Sequence, residues 1–129
     1  MESFSTSEWQ ALDSAHHMAP FTDYAEIRQK GARIVTRAEG HHIYDSEGKR
    51  ILDGMAGLWC VNVGYGRPEL VEAAATQMAK LPYYNNFFRT SNQPVAELSA
   101  KLAEITPDGL SNVFYANSGS EANDTIIRM

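Results

Sequence analysis

The spacing of apolar residues predicts a short helix at the start of the chain. Residues 7–17 have helical periodicity, with Trp9 and Leu12 as their apolar contacts. A proline then interrupts the segment, and either Thr22 or Asp23 is suited to cap a short following turn, because both side chains accept hydrogen bonds from backbone N–H groups. We therefore expect one short helix and then a short capped turn before the first strand.

Two longer amphipathic helices are predicted in the second half. The first begins at Pro68, a residue type favoured at the first helical position, and its apolar stripe ends at about Leu81. The second begins near Pro94, and Glu97 and Lys101 have the spacing of an ion pair along one helix face. Its apolar residues also share one face: Val95, Leu98, Leu102 and Ile105.

The clearest β signal lies between these helical regions. Residues 34–36 are rich in β-branched side chains, Gly40 interrupts the pattern, and apolar residues resume at 51–52. Asp45–Gly48 then predicts a turn between two antiparallel strands. Another short strand is predicted at Val113–Tyr115, followed by a helix. The order hairpin, helix, helix, strand, helix indicates an α/β protein.

Two segments have unusual compositions. The glycine-rich loop (residues 54–66) holds four glycines among large apolar side chains, which predicts an irregular, buried loop of the kind that lines a site. The segment "PYYNNFFRTSN" at 82–92 is aromatic yet rich in Asn, and it favours neither a helix nor a strand.

The sequence "SGS" at 118–120 opens the last predicted helix, and two interpretations are open. Backbone N–H groups at a helix start lack intrahelical partners, so Gly119 and Ser120 suit a phosphate. Alternatively, Ser118 or Ser120 caps the helix, with Glu121 favourable in its first turn.

Composition excludes several classes of protein. Lys and Arg are scattered and the net charge is −5, which disfavours a nucleic-acid surface. No apolar run is long enough to cross a membrane, and no secretory signal is recognisable, so we expect a cytoplasmic protein. Cys60 has no internal disulfide partner. The adjacent pairs His16/His17 and His41/His42 predict no metal site, because neighbouring side chains point apart.

Several segments together resemble the class III aminotransferases, which are fold-type I enzymes dependent on pyridoxal 5′-phosphate. The resemblance is carried by "HHMAPFTDY", "KGARIVTRAEG", "GLWCVNVGYGR", "LPYYNNFFRTSNQP" and "NSGSEANDTIIRM", and it extends from His16 to Met129. It is strongest to the branch that transfers amino groups from ω-amines or polyamines to pyruvate. Members acting on ornithine or 4-aminobutyrate are an alternative.

The resemblance implies a domain division and a set of site residues. Residues 1–65 would form the helix, β-hairpin and active-site loop of the small domain, and residues 66–129 would begin the large cofactor-binding domain with its mixed sheet. The cofactor phosphate would be held at Ser118, Gly119 and Ser120. The substrate pocket would be lined by five residues, the last two donated across a homodimer interface: Phe21, Leu58, Trp59, Phe87 and Phe88.

The resemblance also implies that catalysis needs residues beyond this segment. In the family the lysine that carries the cofactor lies further along the chain, so no catalytic residue is expected among the 129. Two hypotheses follow. The chain is the front part of an aminotransferase that uses an amine donor and a keto acid, or it is a stand-alone, non-catalytic fragment or interaction module with a residual phosphate-binding turn.

Overall fold

The computed structural model describes residues 4–129, which divide into two compact units, one ending at Gln77 and the other spanning Met78–Met129. The division predicted from the resemblance, between residues 65 and 66, stays a prediction. The described elements are α1 (Thr6–His16), α2 (Tyr24–Lys30), β1 (Val35–Glu39), β2 (His42–Asp45), β3 (Arg50–Leu52), α3 (Ala56–Trp59), α4 (Pro68–Lys80), α5 (Gln93–Ile105) and α6 (Gly119–Arg128).

Side-chain caps fix where the first two helices begin. The hydroxyl of Ser5 accepts the N–H of Glu8, and the Glu8 carboxylate accepts the N–H of Ser5 at 2.7 Å, which together form a capping box at α1. Of the two candidate caps for the next helix, Asp23 holds the position, since its carboxylate accepts two N–H groups of α2. The predicted first helix is therefore confirmed, and the predicted short turn is in fact a helix of seven residues.

The three strands form an antiparallel sheet in the order β1-β2-β3, and the predicted turn at Asp45–Gly48 joins the second strand to the third. The turn between β2 and β3 is built around Asp45, whose carboxylate accepts the N–H groups of Glu47 at 3.1 Å and Lys49 at 2.9 Å. Asp45 is only 7% exposed, and it is the one polar side chain among the described residues that is buried. Its hydrogen bonds explain why a charged group is tolerated there.

The second unit departs from the sequence predictions in two places. Lys101 pairs with Glu104 at 2.9 Å, so the predicted pair with Glu97 is wrong. Val113–Tyr115 forms no strand, because no other strand is described in this unit and a single extended segment has no ladder to join. Instead, the hydroxyl of Tyr115 lies 3.0 Å from the hydroxyl of Ser99 on α5.

Many large apolar side chains are accessible in each unit. No hydrophobic residue among those described is buried. The exposed ones include Leu70, Val71 and Met78 of α4, Leu98 and Ile105 of α5, and Ile126 and Ile127 of α6. None of the described helices is long and apolar enough to cross a bilayer.

The exposed surface predicts how the 129-residue chain behaves by itself. We expect it to keep helical far-ultraviolet circular dichroism but to lack near-ultraviolet signal and to bind the dye ANS strongly, since its apolar faces remain in water. Size-exclusion chromatography with circular dichroism and dye titration checks this. A monodisperse monomer that unfolds cooperatively without binding the dye would show the expectation to be wrong and would favour a stand-alone module.

Candidate active site

Most of the predicted pocket residues share an unusual backbone conformation. Six described non-glycine residues have a positive φ, and four of them are predicted pocket residues: Phe21 (51°), Leu58 (62°), Trp59 (65°) and Phe88 (53°). The other two are Ala56 and Arg89, which the sequence analysis did not single out. Such a conformation costs an L-residue about 1–2 kcal/mol, and it concentrates at functional sites.

The glycine-rich loop contains a left-handed turn. Four consecutive residues, Ala56 to Trp59, have φ between 48° and 65°, so α3 is one left-handed turn instead of an ordinary helix. The N–H groups of Cys60 and Val61 both bond to the carbonyl of Ala56 at 2.9 Å and close the turn. Leu58 and Trp59 are exposed, Trp59 by 82%. The predicted burial of the loop is therefore wrong, because nothing in its own unit covers these side chains.

A carboxylate that the sequence analysis missed organises this loop. Asp53 directly follows β3, and its carboxylate accepts hydrogen bonds from the hydroxyl of Tyr65 at 2.6 Å and from the N–H groups of Gly57 at 2.8 Å and Met55 at 3.1 Å. The hydrogen bond from Tyr65 lowers the pKa of Asp53, and the same bond raises the pKa of Tyr65. At neutral pH the carboxylate is the acceptor and the phenol is the donor. The signal in the sequence was an acidic residue at the end of a strand, with a tyrosine between two glycines downstream.

Both ends of the loop are tied to the turn between β1 and β2. Tyr65 exchanges two backbone hydrogen bonds with Gly40, at 2.7 and 3.1 Å, and the N–H of Asp53 bonds to the carbonyl of His41 at 3.0 Å. A Cβ added at Gly64 would lie 2.9 Å from the carbonyl oxygen of Gly40. Only glycine permits this close approach, so the loop is held against the sheet.

The start of α6 confirms the helix-cap interpretation of the "SGS" sequence, and the phosphate interpretation stays a prediction. The hydroxyl of Ser118 accepts the N–H of Glu121 at 3.2 Å, so Ser118 is the helix cap. No protein acceptor is found, among the described residues, for the N–H groups of Gly119 and Ser120. A Cβ at Gly119 would meet open space. Two free N–H donors and a hydroxyl at the positive end of a ten-residue helix fit a phosphate group.

One acidic group lies close to these donors. The Glu121 carboxylate accepts the N–H of Asn117 at 2.9 Å, which removes that donor from any anion at the helix start. The N–H groups that remain open at this helix start are therefore those of Gly119 and Ser120, while Ser118 caps the helix.

The two predicted pocket residues of the second unit, Phe87 and Phe88, lie in a segment that is neither helix nor strand, as predicted. The ring centroids of Phe87 and Phe88 are 6.3 Å apart, and the side chain of Asn85 accepts the N–H of Phe87 at 3.0 Å. Leu58 thus lies beside Trp59, and Phe87 lies beside Phe88. Phe21 is fully exposed between α1 and α2, and no described ring contact or hydrogen bond joins it to Leu58 or Trp59. Among the described residues no cluster of three metal-ligating side chains occurs.

Comparisons with known proteins identify the family. The family described as aminotransferase class-III matches residues 24–129. The chain is 61% identical over 124 residues to the putrescine–pyruvate aminotransferase of Pseudomonas aeruginosa, a match that covers 96% of this chain and 27% of that protein. The chain therefore spans about a quarter of the length of this curated relative.

Solved structures give the same result. An (S)-enantioselective ω-transaminase from Thermomicrobium roseum superposes with a TM-score of 0.92 at 42% identity, over 99% of this chain and 29% of that one. An ω-transaminase from Pseudomonas jessenii in complex with PMP superposes with a TM-score of 0.87 at 39% identity, over 92% and 26% of the two chains. The predicted fold-type I architecture is confirmed by these neighbours, and the chain belongs to the class III aminotransferases.

Proposed function

We propose that this chain is the front part of an aminotransferase that moves an amino group from an ω-amine or diamine donor to pyruvate. The observation that carries the proposal is the 61% identity to putrescine–pyruvate aminotransferase across 96% of the chain. Identity of that extent covers both the glycine-rich loop and the start of α6, where the candidate pocket and phosphate residues lie.

The cofactor we propose is pyridoxal 5′-phosphate, since one structural neighbour is bound to PMP. Gly119 and Ser120 would hold its phosphate through two backbone N–H groups and one hydroxyl, and Ser118 would keep the helix start in shape. When bound, the cofactor supplies the electron sink that amino-group transfer requires. The chain's own contribution is to bind and orient the phosphate, because the cofactor-carrying lysine is proposed to lie outside these residues.

The substrate pocket we propose is walled by Leu58 and Trp59 of the loop, with Phe21 beside them. Support comes from an engineered ω-transaminase in which a tryptophan, a phenylalanine and an arginine are replaced for the synthesis of bulky amines. Its structure matches with a TM-score of 0.88 at 37% identity, over 93% of this chain and 27% of that one. That tryptophan and phenylalanine have the same separation in sequence as Trp59 and Phe87. This favours Phe87 over Phe88 as the residue closest to the donor.

The active assembly we propose is a cytoplasmic homodimer in which Phe87 and Phe88 reach the pocket of the neighbouring subunit. Two features support it: the large apolar surface left exposed by α4, α5 and α6, and the strained, exposed conformation of Phe88. We also propose that residues 1–65 belong to a small domain and that residues 66–129 begin the cofactor-binding domain.

A hybrid aminotransferase tests the activity. In this hybrid the chain replaces the matching residues of the Pseudomonas aeruginosa enzyme, which supplies the remaining length. We expect the purified hybrid to convert putrescine and pyruvate to alanine, measured as alanine formation, because the two sequences agree at most matched positions. A hybrid that folds and binds the cofactor but transfers no amino group from any amine tested would contradict the proposal.

The phosphate site is tested by Gly119→Ala in the hybrid. The added methyl meets no protein atom within 4 Å and alanine suits a helix, so we expect the fold to be unaffected. At the proposed site the methyl would crowd a phosphate bound to the N–H groups of the helix start. We expect the Kd for pyridoxal 5′-phosphate to rise about tenfold to a hundredfold, as for a lost hydrogen bond to a charged group. Absorbance titration of the apo-hybrid measures it.

Two controls make the result specific. Pyridoxal, which lacks the phosphate, should bind the Gly119→Ala hybrid as well as the unsubstituted one, and Ser111→Ala in the same unit should change neither Kd. Equal losses for both ligands would mean that Gly119 does not contact the phosphate. Ser118→Ala is unsuitable, because losing a helix cap itself costs about 1 kcal/mol.

The pocket wall is tested by Trp59→Gly in the hybrid. Removing the indole enlarges the pocket, so we expect the ratio of kcat/KM for 1-phenylethylamine to that for putrescine to rise at least about tenfold. Steady-state kinetics with pyruvate as acceptor measure the ratio. Trp9→Leu on α1 is the matched control and should leave the ratio unchanged, and an unchanged ratio in Trp59→Gly would remove Trp59 from the proposed pocket.

A further inference from the structure

We propose that Asp53 and Tyr65 are positioning residues for the amine donor, which fix the left-handed turn and thereby set how large a donor is accepted. The inference rests on the proposed function, because it assigns the turn's side chains to the donor pocket. Neither residue is one of the predicted pocket residues. Their role is to determine where the backbone of Leu58 and Trp59 lies.

The turn needs an external support. Ala56, Leu58 and Trp59 all adopt the left-handed conformation that L-residues disfavour. The side chains of Leu58 and Trp59 are exposed, so packing against the described residues does not hold them in place. What remains to hold the turn is its hydrogen bonding, both the bonds that close it at Ala56 and those that it makes to residues outside.

The Asp53 carboxylate provides the outside contacts. One oxygen accepts the N–H of Gly57 inside the turn at 2.8 Å, and the same oxygen accepts the Tyr65 hydroxyl at 2.6 Å. The other oxygen accepts the N–H of Met55 at the start of the turn. A single carboxylate thus joins the beginning, the interior and the far end of the glycine-rich loop.

The Tyr65 hydroxyl lies directly against the turn. A Cβ placed on Gly57 would be 3.1 Å from that hydroxyl and 2.8 Å from a methyl of Val61. The phenol therefore occupies the space next to Gly57, and only a glycine leaves room for it. Removing the hydroxyl takes away both a hydrogen bond to Asp53 and a contact that limits movement of the turn.

Asp53 and Tyr65 are both anchored by backbone hydrogen bonds to the same β-hairpin. Asp53 is hydrogen-bonded to His41 and Tyr65 to Gly40, and these two partners are adjacent in the turn between β1 and β2. The hydrogen-bonded pair of Asp53 and Tyr65 therefore fixes the position of Leu58 and Trp59 relative to the sheet. A pocket wall carried on such a rigid element is more selective than one on a free loop.

The protonation states keep the pair intact over a wide pH range. The pKa of Asp53 is lowered from 3.8, so its stabilising bond is lost only as the pH falls through that lowered value. The pKa of Tyr65 is raised from 10.0, with Asp53 the main cause and Cys60 the other titratable group that raises it. The bond is therefore present throughout the range between, and donor preference should not vary with pH near neutrality.

The experiment uses the hybrid aminotransferase and two substitutions that change few atoms. Tyr65→Phe removes only the hydroxyl, and Asp53→Asn keeps an acceptor oxygen while losing the charge. We expect each to raise the ratio of kcat/KM for 1-phenylethylamine over putrescine about tenfold, chiefly through KM, with cofactor content unchanged. The double variant should show a change no larger than either single one, because both act through the same bond.

Tyr44→Phe on β2 is the matched control, since it removes a phenol hydroxyl from the same sheet without touching the loop. The inference would be overturned if Tyr65→Phe and Asp53→Asn gave the same ratio of kcat/KM for the two donors as Tyr44→Phe. It would also be overturned if kcat/KM fell equally for both donors and the Tm or the cofactor content fell with it. If the changes in the ratio added up in the double variant, the two residues would not act through one shared hydrogen bond, and the inference would be overturned. An unsubstituted hybrid that is folded and loaded yet inactive would instead refute the proposed function, and the inference with it.

Discussion

The hydrogen bonds around the β-hairpins determine the conformation of the first unit, since no hydrophobic residue described there is buried. Asp45 closes the turn from β2 to β3 with two N–H groups, and it is itself shielded from water. The strands so paired place Gly40 and His41 side by side. From these two residues the hydrogen bonds continue to Tyr65 and Asp53, and then into the loop that carries the pocket candidates.

The second unit contributes a different kind of chemistry, which depends on a helix terminus and not on a sheet. Ser118 caps α6, and the next two N–H groups have no protein acceptor in the part of the chain that the structure describes. The positive end of the helix and the nearby hydroxyl are suited to an anion with several oxygens.

The sequence predicted those features that depend on neighbours along the chain. The helix at Pro68, a cap at Thr22 or Asp23 and the turn at Asp45–Gly48 follow from residue types within a few positions of one another, and the structure has Asp23 as the cap. Properties that need distant partners were predicted less well. Val113–Tyr115 has strand-forming residues but no strand beside it, and the loop has buried-type residues but no cover in its own unit.

The role of Asp53 could not be seen in the sequence for a related reason. Its partners lie two, four and twelve positions away, and no periodicity joins these distances until the loop has folded. The helix start at Ser118 was easier to predict, because a helix cap depends on residues only a few positions apart. The resemblance to a family supplied what spacing alone did not.

The left-handed turn has a consequence for how this protein can be altered. Natural binding sites often lose stability as they are reshaped for a new ligand, because the replaced side chains also support the fold. At Leu58 and Trp59 the backbone is held by other residues, and the side chains present are ones that this conformation disfavours. Glycine or asparagine at either position would relieve that strain while making room. A substitution that enlarges the space beside this turn is therefore expected to raise the stability of the fold instead of lowering it.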